Sequence, residues 1–109
     1  MAFLYMLECE DGTIYTGIAT DMARRLKEHK ERGKKCARYT RSHPVKELLA
    51  LWETDTYADA AKGEYAVKRL TRRKKLCLTE DPSLLPVLCP SLAETAFRPE
   101  KKEHFPRVE

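Results

Sequence analysis

The sequence lacks any apolar run approaching the roughly 18 residues that a membrane helix needs, so a spanning helix is excluded. Its first ten residues carry no basic region ahead of an apolar one, so no secretory leader is expected and the reading is a cytoplasmic protein. Cysteine occurs only at positions 9, 36, 77 and 89. No two form a Cys-x-x-Cys pair, and none stands at zinc spacing from a histidine, which leaves reduced, mostly buried thiols as the expectation. Proline is nearly absent before residue 81, where Pro44 stands alone, and no internal repeat is visible.

What is present is one domain's worth of chain, 109 residues and 12.6 kDa. Charged residues make up 35%, enough to predict a modest core under a heavily charged surface. The charge is unevenly spread. Residues 24–46 hold ten Lys/Arg against two acids, and residues 68–75 hold six with none. The net charge is +4, but residues 81–109 are slightly acidic. Two basic blocks on a mixed chain point to a polyanion partner, against the plainer reading of a solvated surface.

Residues 2–9 form a nearly continuous apolar run of strand length. Asp11-Gly12 follows, then the β-branched and aromatic run 13–19, which together predict a β-hairpin. Gly17 inside the second strand marks a bulge or a close approach of backbone. Thr20 and Asp21 offer two N-cap candidates, and Met22 and Leu26 supply the inward face of a helix over 21–31. Residues 34–44 read as a basic loop and 45–53 as a third strand, with a helical turn as the alternative at this length. Thr56 with Asp59 resembles a capping box for a helix over 57–70, and Thr71 could cap a shorter one through Leu78. The prediction is an α+β domain over residues 1–80: a small three-stranded antiparallel sheet flanked by helices. A proline-rich tail, 81–109, follows, with little regular structure although Leu84, Leu85, Val87 and Leu88 could pack on the domain.

Glu64 is the informative residue. In a helix from Tyr57 it falls among Ala60, Ala61 and Val67, and a carboxylate in an apolar arc is costly unless it is paired or binds a metal. A salt bridge to Lys68, one turn on, is the plainer alternative. Arg25 and His29, spaced i, i+4, project from one side of the first helix and border its apolar stripe. Each has an ordinary reading too, as a surface cation and a hydrogen-bonded helix histidine. Tyr5 and Tyr15 sit on the paired strands, close to facing each other.

With these residues in place the sequence resembles the GIY-YIG nuclease family, above all its small stand-alone bacterial members. The first motif reads Phe3-Leu4-Tyr5 and the second Tyr15-Thr16-Gly17. Arg25 follows eight residues after that glycine, then His29, and the later glutamate is Glu64. Residues 37–41 (ARYTR) also resemble the small members. The likeness covers about residues 2–80, rests on order and spacing rather than on any one piece, and departs from the family name at Phe3-Leu4. Gly63 is a further departure, costing a helix about 1 kcal/mol relative to alanine and either loosening it or making room for a substrate.

The resemblance implies a metal-dependent endonuclease acting on DNA, with RNA as an alternative. Glu64 would hold Mg²⁺, or another divalent cation such as Mn²⁺, and Arg25 would clamp phosphate oxygens. Tyr5 or Tyr15 would accept a proton from the attacking water, and His29 would bond a tyrosine hydroxyl or relay the proton. Lys34, Lys35, Arg38, Arg41, Arg69, Arg72 and Arg73 are the expected backbone contacts, and Tyr39 could stack on a base. With no recognition domain in view, structure-selective cleavage, or cleavage directed by a protein partner, fits better than sequence specificity. The alternatives are a non-catalytic nucleic-acid-binding module, or an adaptor that docks a partner through its tail.

Overall fold

Strand β1 (Ala2–Cys9) is the centre of the molecule. A computed structural model describes residues 1–31 and 42–101. β1 pairs antiparallel with β2 (Ile14–Ala19) on one side and β3 (Val45–Thr54) on the other. A two-residue strand β4 (Arg98–Pro99) adds to the far side of β3, giving the order β2-β1-β3-β4. The α+β class is as expected. The sheet has one strand more than the three expected, and the extra strand comes from the proline-rich segment.

The continuous apolar run of β1 is explained by its position, because a central strand covered on both faces has no polar side. Leu4 and Met6 join Ala50, Trp52 and Val67 in one core cluster. Tyr5 and Leu7 join Met22, Leu26, Leu48 and Leu51 in a second, on the opposite face. Helix α1 (Met22–Glu31) covers the second face. Asp21 caps it, its carboxylate accepting from Arg24 N at 3.1 Å. Helix α2 (Tyr57–Lys68) covers the first face, and Thr56 caps it by accepting from Asp59 N at 3.1 Å. Helix α3 (Arg72–Glu80) starts on a second threonine cap, Thr71. The hairpin turns on Gly12, whose φ of 84° suits glycine.

The expectation of little regular structure after residue 81 is overturned. This segment makes a 3₁₀ turn (Pro82–Leu84), a single helical turn α4 (Leu85–Leu88), a second 3₁₀ turn (Pro90–Leu92) and β4. Each of the first three carries a proline in its first turn, where the missing N–H costs nothing. Leu85, Cys89 and Leu92 are buried in the first core cluster. Trp52 explains why the chain returns: its buried indole needs an acceptor, and Nε1 donates to Pro82 O at 2.9 Å. Arg98 closes the wrap on Glu53 and Asp55, each at 3.0 Å.

Gly63 receives a different explanation from either offered by the sequence. A Cβ there would lie 2.6 Å from Phe97 Cε1 and 2.8 Å from Leu4 Cδ2. The glycine makes room for the returning segment, not for a substrate. Cys9 and Cys89 are buried thiols and Cys77 is an exposed one, all free. Among the described residues no helix is long and apolar enough to cross a membrane.

Candidate active site

Tyr5, in the middle of β1, is fully buried. Its hydroxyl lies 2.7 Å from His29 Nε2, and Arg25 Nε donates to it at 3.4 Å. Because Arg25 and His29 are one helical turn apart on α1, docking Met22 and Leu26 against the sheet sets both over the phenol. With Arg25 donating into the phenol oxygen, the phenol proton is directed at Nε2. His29 then accepts as the neutral Nδ1–H tautomer, a role assigned from the network.

The electrostatics agree. Burial, and then the charge of Arg25, pull the His29 pKa down to about 4, so the imidazole is neutral near pH 7. Burial also pushes the Tyr5 phenol well above its ordinary range, against the opposing hydrogen bond from Arg25. Arg25 is held from its other side by Glu28, with Nη1 to Oε1 at 2.9 Å. The sequence reading missed Glu28, although its i, i+3 spacing from Arg25 is a readable signal.

The hairpin centres on residue 11, so Tyr5 stands opposite Gly17 and Tyr15 opposite Leu7. The tyrosines are therefore diagonal neighbours rather than face to face, with ring centroids 6.2 Å apart. Tyr15 is only half-buried and its ring lies 5.5 Å from that of His29. Gly17 is the floor beneath both. A Cβ on it would lie 2.5 Å from Tyr5 Oη and 2.8 Å from Tyr15 Cε2. Of the two sequence readings of Gly17, close approach is the one the structure bears out.

Glu64 of α2 is linked to this cluster through Lys68, its ion-pair partner. That helix buries Ala60, Gly63 and Val67, which leaves Glu64 at the margin of the apolar arc rather than within it. Its carboxylate lies 3.3 Å from Lys68 Nζ, in a pair whose side chains are 26% and 51% exposed, respectively. Lys68 Nζ in turn lies 6.0 Å from the Tyr15 ring centroid. The charge of Glu64 also acts on the Tyr5 phenol, raising its pKa. α1 and α2 pack on opposite faces, and their polar flanks can meet because β2 is the edge of the sheet. Tyr5, Tyr15, Arg25 and His29 thus form one contact group, and Glu64 stands within electrostatic reach of it.

Glu64 offers a hard oxygen donor. Among the described residues no three His, Cys, Asp or Glu side chains gather to hold an ion by themselves. Such a donor set fits a hard divalent cation whose other positions are filled by water and phosphate oxygens, and does not fit a zinc-type site.

The basic residues are more dispersed. Arg69 is the C-cap of α2, and its guanidinium lies over the Tyr65 ring at 5.3 Å. Arg72 and Arg73 are exposed in the first turn of α3. Lys34, Lys35, Arg38, Tyr39 and Arg41 lie outside the described residues.

Comparison with known proteins gives this edge a context. The chain is 45% identical over 73 residues to the UPF0213 protein BH0048 of Halalkalibacterium halodurans, covering 67% of this chain and 76% of that one. It is 43% identical over 93 residues to the UPF0213 protein DP2720 of Desulfotalea psychrophila, covering 82% of each. The solution structure of BH0048 overlays with a TM-score of 0.47 at 40% identity, covering 88% of this chain and all of that one. A family model described as the GIY-YIG catalytic domain matches residues 1–76. That span takes in the hairpin, α1 and α2 and so contains the whole tyrosine, arginine, histidine and glutamate cluster: the chain belongs to the GIY-YIG nuclease family.

Proposed function

We propose that this protein is a divalent-metal-dependent endonuclease that hydrolyses DNA phosphodiesters and selects its substrate by structure rather than sequence. The observation that carries the reading is the buried hydrogen-bonded group of Tyr5, His29 and Arg25 lying against the half-buried Tyr15 and within electrostatic reach of Glu64. Desolvated charges and an inward-facing neutral histidine are costly to assemble, and such arrangements concentrate at reactive sites.

In this reading Glu64 holds Mg²⁺ or Mn²⁺, which when bound supplies electrophilic stabilisation of the phosphate. Arg25, fixed by Glu28 and Tyr5, would donate to non-bridging phosphate oxygens. Tyr15 is the phenol that solvent reaches, and it takes the proton of the attacking water. Tyr5 is fully buried, so its part is to hold Arg25 and His29 in place. Arg69, Arg72 and Arg73, with the basic residues of 34–41, contact the backbone. Such contacts do not read sequence, which supports structure selectivity.

The test is cleavage of a panel of flaps, forks, junctions, single strands and RNA in Mg²⁺. The expected result is cutting of a DNA with an unpaired or branched region, lost in Glu64→Ala, Arg25→Ala and Tyr15→Phe. Metal-dependent cleavage that survives Glu64→Ala, or no cleavage of any substrate, would overturn the reading.

A further inference from the structure

Tyr57 is 55% exposed although it is a large aromatic residue in the first turn of α2. It does not point to empty solvent. It lines a concavity of about 210 Å³ together with Ile18 at the end of β2 and Asp21, Arg24, Arg25 and Glu28 of the α1 region. The cavity therefore shares Arg25 with the cluster around Tyr5.

Its position relative to the site follows from helix geometry. Residues 57, 61, 64 and 68 are spaced i, i+4, i+7 and i+11, which puts Tyr57 on the same stripe of α2 as Glu64 and Lys68. Seven residues separate Tyr57 from Glu64, about 10 Å along the axis. A group seated at Tyr57 would be neighbour to a phosphate seated between Glu64 and Arg25.

The lining also selects the chemistry. Two guanidiniums and two carboxylates surround the mouth, so the cavity is formally neutral. A nucleobase is neutral, has a π-face for the tyrosine ring, and carries donors and acceptors for carboxylates and guanidiniums alike. We infer that this cavity is a nucleobase subsite in which Tyr57 stacks on an unpaired base next to the phosphate held at Arg25. The inference rests on the nuclease reading and narrows it: a base within a duplex cannot reach Tyr57 without leaving the stack, so the substrate is one whose strand is open at this position.

The experiment uses the full chain in EDTA, where cleavage is suppressed. The probes are short end-labelled oligothymidylates, each with the fluorescent adenine analogue 2-aminopurine at one position. Anisotropy reports binding and the analogue's emission reports stacking. Wild type is expected to bind and to quench the analogue at a restricted set of positions. Tyr57→Ala is expected to remove that quench and weaken binding roughly tenfold, with Tyr57→Phe restoring both. Binding with an unchanged quench in Tyr57→Ala, or with no position quenched in wild type, would overturn the subsite and leave the nuclease reading standing. Absence of binding to these probes by a protein that cleaves branched DNA would likewise remove the subsite alone. Absence of both binding and cleavage would remove the nuclease reading and the subsite with it.

Discussion

Phe97 occupies the space that a side chain at position 63 would need: its Cε1 lies 2.6 Å from where a Cβ on Gly63 would be. A helix interior ordinarily favours alanine over glycine by about 1 kcal/mol, so a glycine kept here has to be explained by packing. The explanation lies 34 residues further along the chain, in the segment that wraps back over α2.

Gly63→Ala is therefore expected to destabilise the protein despite its better helix propensity. The ring of Phe97 and the buried Leu4 must both shift, which costs about 1–3 kcal/mol. In a Phe97→Ala background the same change should be much less harmful, because the ring is gone. Thermal melts of the four proteins in the double-mutant cycle measure the coupling, and additive effects would show that the two sites do not share space.

Gly17→Ala should damage the site more than the fold. The new methyl group would press on Tyr5 Oη and Tyr15 Cε2 together, moving both phenols from their places by His29 and Arg25. Cleavage is expected to fall by two orders of magnitude or more, since misplacing reacting groups by about 1 Å costs that much. The melting temperature should drop by an amount typical of an overpacked core. Undiminished cleavage would show that the tyrosines need not hold this geometry.

His29 makes stability depend on pH with a definite sign. In the unfolded chain it becomes protonated below about pH 6.5. In the fold, burial and Arg25 keep it neutral down to about pH 4. Between these values the unfolded state binds more protons, so stability rises with pH across this window. The contribution is fully present above about pH 6.5 and is lost as the pH falls to about 4, roughly 3 kcal/mol in all. Urea titrations across the window should show this slope in wild type and its loss in His29→Gln. An unchanged slope in the variant would assign it to other groups.

Glu64→Ala separates a structural carboxylate from a functional one. The pair with Lys68 is partly exposed, so its loss should change stability by no more than about 1 kcal/mol. Cleavage should nevertheless be abolished. A fall in stability of 3 kcal/mol or more, the cost of breaking a buried pair, would mean that Glu64 serves the fold.

The sequence by itself determined the hairpin, the threonine caps of α2 and α3 and the side-chain pairs along each helix. These are local properties: Asp-Gly turns, threonine caps and i, i+4 spacing act within a few residues, and Arg25 with His29 or Glu64 with Lys68 can be read from one helix at a time. Only the tertiary structure decided how the pieces meet. The diagonal offset of Tyr5 and Tyr15 depends on the register of the hairpin, and the choice of close approach for Gly17 depends on both rings lying over it. The order after residue 81 was illegible because prolines and short apolar runs carry no periodicity, and what organises them is distant: the indole of Trp52, the free side of β3 and the vacancy at Gly63. In the sequence Tyr57 is only the first residue of its helix. It became a candidate base platform only when α1 and α2, packed on opposite faces, met at the edge of β2, a relation between elements that no spacing within either helix encodes.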